Sequence, residues 1–451
     1  MNTEELEKAY LAHVADLGAR YATVLAGAEV DTVVIHSGSA LKRSEFDDQY
    51  WPLRPTPHFQ HWLPLAQPDC ALIVRPGQKP LLAWLKSTSY WETPQEPESR
   101  FFERAFDVRS VDDLDAIKAL VPTSGRVAFV GEARAHAITL GIDEERLNPP
   151  TLVGPLDRLR AHKTPYEVLC LAEANRKAAA GHAAALAAFR AGGASELEIH
   201  LRFLEATGQD DPETPYKNIV AEGPHAATLH HVSYDKRPSP RGAQSLLVDA
   251  GATYMGYCSD ITRTWVRGEG AVASAYGHLV DLVEKMQQRL CGAIRLGLPY
   301  EELHEESHRQ AAEILREVGI AKGDTGALVK ANVTRSFYPH GLGHSLGLQC
   351  HDVGCALVKP KENNPYLRNT SIIDERQCFT VEPGVYFIDG LLDKLRASPE
   401  GSLIDWGLVK ELRIMGGVRI EDDIVVTAGE GGAAVARNLT REVLPVGGGV
   451  A

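Results

Sequence analysis

The chain has 451 residues, of which 44% are hydrophobic and 24% are charged, a balance typical of folded globular proteins and not of disordered or collagen-like ones. This length exceeds what one hydrophobic core usually supports, so we expect two domains. The 60 acidic and 47 basic residues give a net charge of −13, which repels phosphate backbones and anionic membranes and therefore argues against nucleic-acid or membrane partners.

The cysteines and the N-terminal segment predict a cytoplasmic location. Seven scattered cysteines without a C-x-x-C pair do not resemble a disulfide framework or a zinc knuckle, and they suit a reducing compartment. The first residues include several acids where a secretory signal needs basic residues and an apolar core. The sequence also has no apolar run of about 18 residues, the length that a membrane-spanning helix requires.

The first 150 residues alternate helical and strand patterns. Apolar residues at helical spacing predict a helix over residues 5–25, and the run DTVVIHSG predicts a buried strand. ALIVRPGQKPLLAW reads as a hairpin around a Pro-Gly turn, and SVDDLDAIKALV and RVAFVG predict a helix and a strand. We therefore expect an α/β domain here.

A Pro-rich, polar segment, NPPTLVGPLDRLRAHKTPYE, predicts the domain junction, with domains at 1–160 and 161–451. After it, the pairs Thr164/Glu167 and Ser195/Glu198 have the spacing of helix capping boxes. They predict two successive helices, over residues 165–189 and 196–204.

The sequence patterns in the rest of the second domain predict helices combined with a mostly antiparallel sheet. SLLVDAGATYMGYCSDITRTW has the alternation of adjacent strands, and helical patterns return over residues 271–294 and 300–318. The last third alternates short β-rich runs with Gly and Pro turns. The fold class expected for this domain is α+β.

Two aspartates stand at related positions of this strand region. Asp249 follows three apolar residues, and Asp260 comes eleven residues later, a gap that a strand, a turn and a returning strand would fill. Both carboxylates would then face one point. A carboxylate within an apolar strand needs a cation, a proton or several donors. The structural alternative for each is a salt-bridged or turn-capping aspartate.

The segment HGLGHSLGLQCHD places His340, His344 and His351 within twelve residues, with glycines that allow close backbone approach. Three imidazoles so close in sequence favour metal binding or acid–base chemistry over packing. Phosphate binding is the weaker alternative, because the segment lacks the Lys-Ser/Thr end of a P-loop.

Two glutamates complete the set of candidate ligands. Glu382 lies in FTVEPGVYF and Glu421 in GGVRIEDDIVVT, both within apolar strand patterns. Arg419 precedes Glu421 by two residues and shares its strand face, so an ion pair between them is the structural alternative. Together, four carboxylates and one neutral imidazole match two divalent cations in charge, and oxygen-dominated ligation favours manganese over structural zinc.

Four segments resemble the metal-binding motifs of the pita-bread fold of creatinase and methionine aminopeptidase: LLVDAGATYMGYCSDITRTW, FYPHGLGHSLGLQCHDVG, FTVEPGVYF and RIEDDIVV. Within that family the chain is most similar to the bacterial Xaa-Pro dipeptidase, or prolidase, group that includes the organophosphorus acid anhydrolases. The N-terminal segment IHSGSALKRSEFDDQYWPLRPTPHFQHWLP resembles the same group. The resemblance implies a creatinase-like α/β N-terminal domain followed by a pita-bread catalytic domain.

The resemblance also implies roles for individual residues. The ligands of two divalent ions, most often Mn²⁺ with Co²⁺ as a substitute, would be Asp249, Asp260, His344, Glu382 and Glu421. Glu382 would also move protons, His340 and His351 would contact substrate, and Arg419 would bind the substrate carboxylate. The implied pocket walls are Tyr216, Leu229, His230, Tyr300, Cys350 and Leu367.

The segment FDDQYWP, with Asp47 and Asp48, resembles a loop that closes the active site of the other subunit, which implies a homodimer. One position departs from the family pattern. Cys350 stands where a β-branched aliphatic residue is usual. We expect this thiol to confer sensitivity to thiol reagents or soft metals, which the substitution Cys350→Val should relieve.

The implied activity is hydrolysis of dipeptides with a C-terminal proline by a hydroxide held between two metals, with organophosphorus triesters as a side activity. One alternative is aminopeptidase P-type cleavage of longer peptides, or a primary action on organophosphorus esters. Three more distant functions are a non-catalytic pita-bread protein that binds histone or RNA, a metal-free creatinase-like enzyme and a metal store. The five filled ligand positions and the negative charge argue against these three.

Overall fold

The computed structural model describes residues 3–86, 97, 99–239, 244–429 and 434–451. The chain divides into two compact units, residues 1–169 and 170–451. The division falls within a long helix, nine residues after the predicted junction at residue 160. The segment predicted as the junction itself contains a helix that starts with proline at its first position, where a missing N–H costs no hydrogen bond.

The N-terminal unit is built on a mixed five-stranded sheet of strand order β4-β3-β2-β1-β5. β1 pairs in parallel with β5 and antiparallel with β2, and the predicted hairpin is the antiparallel pair β2–β3. Its strands are β1 (Thr32–His36), β2 (Ala71–Val74), β3 (Leu81–Leu85), β4 (Asp107–Val111) and β5 (Val127–Val130). The helices are α1 (Thr3–Gly27), α2 (Pro57–Gln60), α3 (Leu114–Leu120), α4 (Arg134–Thr139) and α5 (Pro150–Ala161). The α/β class predicted for this part of the chain is confirmed.

The two predicted capped helices are present. Thr164 and Glu167 form a reciprocal cap, in which Thr164 N donates to Glu167 Oε2 at 2.8 Å and Glu167 N donates to Thr164 Oγ1 at 3.4 Å. This cap starts α6 (Pro165–Ala191). A second capping box, between Ser195 and Glu198, starts α7 (Glu196–Thr207). Local side-chain hydrogen bonds therefore set both helix starts.

The C-terminal unit has mostly antiparallel strand pairs, as predicted. Its main sheet has the order β16-β10-β7-β6, a second sheet the order β11-β14-β15, and β12–β13 and β8–β9 form two-stranded ladders. The pair β10–β16 is parallel. The strands are β6 (Ile219–Glu222), β7 (Ser245–Asp249), β8 (Thr253–Tyr254), β9 (Tyr257–Cys258), β10 (Thr262–Val266), β11 (Cys378–Val381), β12 (Gly384–Tyr386), β13 (Gly417–Arg419), β14 (Asp422–Ala428), β15 (Ala434–Asn438) and β16 (Gly448–Val450).

Helices pack against these strands. Apolar residues at helical spacing on α8 and α9 pack against strand residues in the largest core cluster. The helices after α7 are α8 (Ala271–Gly292), α9 (Tyr300–Glu317), α10 (Thr325–Lys330), α11 (Val333–Phe337), α12 (Asp389–Ala397) and α13 (Trp406–Leu412). Among the described helices, none is long and apolar enough to cross a membrane.

Candidate metal centre

The antiparallel pair β7–β10 brings Asp249 and Asp260 together. Asp249 ends β7 opposite Thr262, the first residue of β10, and Asp260 lies two residues before Thr262. The hydroxyl oxygen of Tyr216 lies 2.7 Å from Asp249 Oδ1 and 2.5 Å from Asp260 Oδ1. Because a hydroxyl donates a single proton, it can serve only one of these oxygens at a time. The other oxygen therefore needs another donor or a cation.

His344 points its Nε2 atom at three carboxylates. Its Nδ1 lies 3.1 Å from the carbonyl oxygen of Ser345, which only accepts, so Nδ1 carries the proton. Nε2 then lies 3.4 Å from Asp260 Oδ2, 3.7 Å from Glu382 Oε1 and 4.0 Å from Glu421 Oε1. These distances exceed those of good hydrogen bonds, as expected for donor atoms arranged around a cation.

Glu382 and Glu421 reach this point from two different ladders. Glu382 follows β11 directly, and its backbone N–H donates to the carbonyl of Leu342 at 2.8 Å. Glu421 lies between β13 and β14, where it forms an isolated β-bridge with Thr262. Thr262 Oγ1 donates to Glu421 Oε2 at 2.7 Å. The five predicted ligands thus come from the end of β7, the residues just before β10, the 340–351 segment, the residue after β11 and the link between β13 and β14.

The site has an excess of buried negative charge. Burial raises the pKa of Asp249 and of Glu421, and raises that of Glu382 to about 7. Burial also opposes the ionisation of Asp260, but the hydrogen bond and charge of His344 lower the pKa of Asp260 to about 2. Burial opposes protonation of His344, yet the Asp260 carboxylate raises its pKa to about 9.

This donor set fits divalent cations. Asp260, His344 and Glu421 offer ligand atoms within 4.8 Å of one another. Four carboxylates face Arg419 and His344, so ordinary side-chain charges do not neutralise them. Oxygen-rich ligation with one imidazole suits manganese and similar ions.

Arg419 lies beside the carboxylates and not paired with Glu421. Its Nη2 donates to Asp249 Oδ2 at 2.5 Å, its Nε to Thr262 Oγ1 at 3.1 Å and its Nη1 to the hydroxyl oxygen of Tyr386 at 3.0 Å. The Tyr386 hydroxyl in turn lies 2.8 Å from His340 Nε2. His340 Nδ1 donates to the Gly341 carbonyl at 2.8 Å, so Nε2 must accept from Tyr386.

His351 and Cys350 lie on the Asp260 side of the cluster. The ring of His351 is perpendicular to that of His344, with centroids 4.4 Å apart. Cys350 Sγ donates to Asp260 Oδ2 at 2.9 Å. His344, Cys350 and His351 also form a group whose ligand atoms lie within 4.8 Å of one another. The residue that departs from the family pattern therefore contacts a predicted ligand directly.

The residues predicted to line the pocket lie in different environments. Tyr216 contacts the carboxylates of Asp249 and Asp260, whereas Leu229 is half-buried and His230 is exposed. Tyr300 is fully buried, with its hydroxyl donating to the Thr380 carbonyl at 2.7 Å, and Leu367 belongs to the large core cluster. Asp48 is exposed on the N-terminal unit, where Gln49 Nε2 donates to its Oδ1 at 3.2 Å.

Residues that sequence reasoning missed hold the site together. Tyr386 links Arg419 to His340, and Thr262 contacts both Arg419 and Glu421. Asp423 Oδ2 accepts from the backbone N–H of Asp260 at 3.1 Å. Thr262 and Asp423 each lie two residues from a predicted ligand and Tyr386 lies four residues from Glu382, so even spacing from the ligands in extended segments was the signal that could have found them.

Comparison with known proteins supports a family assignment. Residues 170–428 match the model of metallopeptidase family M24, and residues 8–157 match the model described as Xaa-Pro dipeptidase, N-terminal domain. The chain is 41% identical to an Xaa-Pro dipeptidase of Marinobacter nauticus, over 96% of this chain and 97% of that protein. It is 37% identical to an Xaa-Pro dipeptidase of Pseudoalteromonas atlantica, over 94% and 96% of the two chains.

Solved structures show the same fold. Zinc-substituted aminopeptidase P of Escherichia coli aligns with a TM-score of 0.72 at 22% identity, covering 96% of both chains. Proline aminopeptidase P II of Yersinia pestis aligns with a TM-score of 0.71 at 22% identity, covering 96% of this chain and 97% of that one. Together with the family models and the curated relatives, these matches show that the chain is an enzyme of the Xaa-Pro dipeptidase group of metallopeptidase family M24.

Proposed function

We propose that this enzyme hydrolyses dipeptides whose second residue is proline. The observation that carries the proposal is the convergence of four carboxylates and His344 Nε2 on one buried point, in a chain whose close relatives are named Xaa-Pro dipeptidases. An Xaa-Pro bond has no amide hydrogen, and its ring excludes it from most peptidase clefts. Strong polarisation of the carbonyl and a fixed nucleophile address both difficulties.

The ions that we propose for this site are two divalent cations, with Mn²⁺ preferred and Co²⁺ as a substitute. The residues that would hold them are Asp249, Asp260, His344, Glu382 and Glu421. Bound divalent cations supply polarisation of a carbonyl oxygen and lower the pKa of water. The support for this assignment is the uncompensated charge of the buried carboxylates and the position of His344 Nε2 among three of them.

Glu382 is the group that we propose to move protons. Water adds to the scissile carbonyl carbon while Glu382 takes up its proton, and the proline nitrogen receives a proton as the C–N bond breaks. Glu382 Oε2 lies 3.7 Å from His340 Nδ1 and its Oε1 lies 3.7 Å from His344 Nε2. The carboxylate therefore lies beside both the candidate ion site and a histidine that is proposed to hold the substrate.

Arg419, His340 and His351 are proposed to hold the substrate. Arg419 uses one N–H of each nitrogen for Thr262, Tyr386 and Asp249, which leaves two of its five N–H groups for a carboxylate. A fixed carboxylate contact limits substrates to dipeptides and positions the bond. The walls proposed around the substrate are Tyr216, Leu229, His230, Tyr300, Cys350 and Leu367.

The deciding experiment is release of free proline from Ala-Pro and Leu-Pro by chelator-treated protein, with and without added Mn²⁺. We expect Mn²⁺-dependent release that the variant Glu382→Ala lacks. Folded protein that binds metal and yet releases no proline with any divalent ion would rule out the dipeptidase activity.

Aminopeptidase P-type cleavage is the second candidate, favoured by the overall fold similarity to solved aminopeptidases P. Peptide length separates the two activities. Cleavage of Ala-Pro but not of Ala-Pro-Ala supports the dipeptidase, and the reverse supports the aminopeptidase. Hydrolysis of organophosphorus triesters is proposed as a side activity, because tetrahedral phosphorus resembles the tetrahedral intermediate of peptide hydrolysis.

A homodimer in the cytoplasm is the proposed state of the protein. The exposed segment that carries Asp48 also exposes Phe46 fully and Trp51 by 58%, apolar surface that a second subunit would cover. All seven cysteines lie in the described part of the chain as free thiols, which suits a reducing compartment. A sedimentation experiment that finds a fully active monomer would contradict the proposed homodimer.

A further inference from the structure

Asn175, Asp423 and Thr440 form a closed hydrogen-bond network next to the candidate metal centre. All three side chains are completely buried, at 0% exposure. Asn175 Nδ2 donates to Asp423 Oδ2 at 2.8 Å, and Thr440 Oγ1 donates to Asn175 Oδ1 at 2.7 Å. The network closes where the Asp423 backbone N–H donates to Thr440 Oγ1 at 2.9 Å. It therefore joins α6 to β14 and to the turn after β15.

The partners of the Asn175 amide fix its orientation. Its Nδ2 also donates to the Leu171 carbonyl at 3.0 Å, and a carbonyl only accepts, so the NH₂ group must lie on this side. Both N–H groups and the oxygen of the amide are then paired. A rotated amide would leave buried polar atoms without partners, so the network holds Asn175 in one conformation.

The network extends to the backbone of Asp260, one of the proposed metal ligands. The β7–β10 ladder ends at the pair of Asp249 and Thr262, so Asp260 lies beyond the regular ladder. Its backbone N–H donates to Asp423 Oδ2 at 3.1 Å, the same oxygen that accepts from Asn175. A side chain thus supports the main chain of this ligand where the ladder no longer does.

Helix α6 also contacts the residue before Asp260. The hydroxyl oxygen of Ser259 lies 3.3 Å from the carbonyl oxygen of Ala174, the residue before Asn175. Two consecutive residues of the helix thus support two consecutive residues of the ligand segment. The carboxylate of Asp260 is held with its Oδ2 at 3.4 Å from His344 Nε2. Its direction towards the other ligands therefore depends on this support.

We propose that Asn175 is a positioning residue of the metal centre, which holds Asp423 so that the Asp423 carboxylate fixes the main chain of Asp260. The inference rests on the ligand set of the proposed function and goes beyond it, because it assigns a role to two residues that lie outside that set. Replacing residues that orient metal ligands typically costs about 10- to 100-fold in metal affinity. We therefore expect this network to set both the affinity of the site and the ligand geometry at the ion.

Direct metal binding by Asp423 is the competing interpretation, because its Oδ1 is buried without a hydrogen-bond partner in the described part of the chain. Its Oδ2 accepts from two N–H donors, which favours the positioning role. Among the described residues, Asp423 also belongs to none of the groups whose ligand atoms lie within 4.8 Å of one another. Asp423→Asn separates the interpretations, since an amide oxygen can accept both bonds of Oδ2 but brings no charge to an ion.

The main test measures Mn²⁺ binding to chelator-treated protein by equilibrium dialysis and compares Asn175→Leu with Asn369→Leu. Asn369 is a matched control, because it is completely buried and its Oδ1 accepts from Ser371 N at 3.0 Å and from Ser371 Oγ at 2.8 Å. We expect Asn175→Leu to raise the Kd for Mn²⁺ about tenfold or more, and Asn369→Leu to change it less than about threefold. Equal effects of the two substitutions would overturn the proposal.

Variants of Asp423 test how the network acts. Asp423→Asn should keep the Kd for Mn²⁺ within about threefold of wild type, whereas Asp423→Leu should raise it about tenfold or more. On the Asp423→Leu background, Asn175→Leu should raise the Kd by less than about twofold further. Equal losses of affinity in Asp423→Asn and Asp423→Leu, or full additivity of the two leucine substitutions, would contradict the proposed role.

Thr440→Val is the milder variant to use if Asn175→Leu does not fold. It removes the hydroxyl that joins Asn175 Oδ1 to the Asp423 backbone N–H. We expect a rise in the Kd for Mn²⁺ of about twofold to fivefold, because the bonds of Asp423 Oδ2 remain. An unchanged Kd in this variant would count against the network.

The absorption of Co²⁺-loaded protein supplies a readout that a loss of stability alone would not change. The visible bands of this ion depend on the number and arrangement of its ligands. At saturating Co²⁺, we expect Asn175→Leu to shift these bands and Asn369→Leu to keep the wild-type spectrum. Identical spectra of the three proteins would overturn the proposal.

Release of proline from Ala-Pro separates this inference from the proposed function. Wild type that binds Mn²⁺ but releases no proline would contradict the dipeptidase activity alone, because the comparison of Kd values does not depend on turnover. Wild type that binds neither Mn²⁺ nor Co²⁺ would contradict both.

Discussion

Arg419 and Asp249, 170 residues apart in the chain, form a buried ion pair in which Arg419 Nη2 lies 2.5 Å from Asp249 Oδ2. Both side chains are nearly inaccessible, at 5% and 11% exposure. The pair places a permanent positive charge beside the carboxylates before any cation binds. It also ties the end of β7 to the end of β13.

Breaking this pair should destabilise the protein strongly. Arg419→Met leaves Asp249 buried without its partner, and we expect a loss of about 3–5 kcal/mol in the free energy of unfolding of chelator-treated protein. Urea unfolding measures it. Arg437→Met is the matched control, because Arg437 and Glu442 form a half-exposed pair whose loss should cost less than about 1 kcal/mol. Similar losses for the two variants would contradict the expectation.

Gly343 should not tolerate a side chain. A Cβ there would lie 2.2 Å from the Thr380 carbonyl and 2.4 Å from the Tyr300 hydroxyl, next to the strand that leads to Glu382. Gly343→Ala must displace β11 and should cost about 1–3 kcal/mol of stability along with most of the bound metal. Thermal unfolding and metal analysis measure both effects.

Gly390→Ala is the control for this substitution. A Cβ on Gly390 would meet nothing within 4 Å, and the residue lies in α12. Alanine there should be neutral or stabilising by up to about 1 kcal/mol. Unchanged metal content in Gly343→Ala would show that the position accommodates a side chain.

Cys350 should make the enzyme sensitive to soft metals. Its Sγ shares a ligand group with His344 and His351, and thiolate with imidazole is a preferred ligand set for Cd²⁺-like ions. We expect Cd²⁺ to inhibit wild type at concentrations that leave Cys350→Val active. Cys70→Ala, in the other unit, should remain as sensitive as wild type. Equal inhibition of Cys350→Val and wild type would exclude this thiol as the target.

The N-terminal unit should lose stability below pH 6.5. Burial lowers the pKa of His13 to about 4, although the nearby Glu167 carboxylate opposes the shift. Since the unfolded chain takes up this proton near its ordinary pKa and the folded chain does not, acid favours unfolding between these two values. The loss reaches about 3 kcal/mol at pH 4.

Unfolding midpoints of wild type and His13→Gln between pH 4 and pH 7 test this. The variant should show a flatter dependence on pH over that range. His278→Gln, at a half-exposed histidine 3.6 Å from Glu317, should keep the wild-type slope. A wild-type slope in His13→Gln would assign the acid sensitivity to another group, such as the buried His61.

Much of the architecture could be predicted because local sequence patterns determine where helices and strands form. The spacing of Thr164 and Glu167 predicted a helix start that the structure confirms through two hydrogen bonds. Two apolar runs joined by a Pro-Gly turn predicted the hairpin β2–β3, and alternation of apolar residues predicted the pair β7–β10. The proline-rich segment before residue 160 was less informative, since proline is also favoured in the first turn of a helix such as α5.

Sequence by itself determined the fold class, the family resemblance and the set of residues that meet at the candidate metal centre. Strand and helix periodicity and short motifs carry that information. Only the tertiary structure decided which groups are in contact. Arg419 pairs with Asp249 and not with Glu421, and Tyr386 joins Arg419 to His340. Glu196 accepts hydrogen bonds from the backbone N–H groups of both Glu222 and Asp235. These contacts join residues far apart in the chain, and their partners depend on side-chain packing that no local pattern encodes.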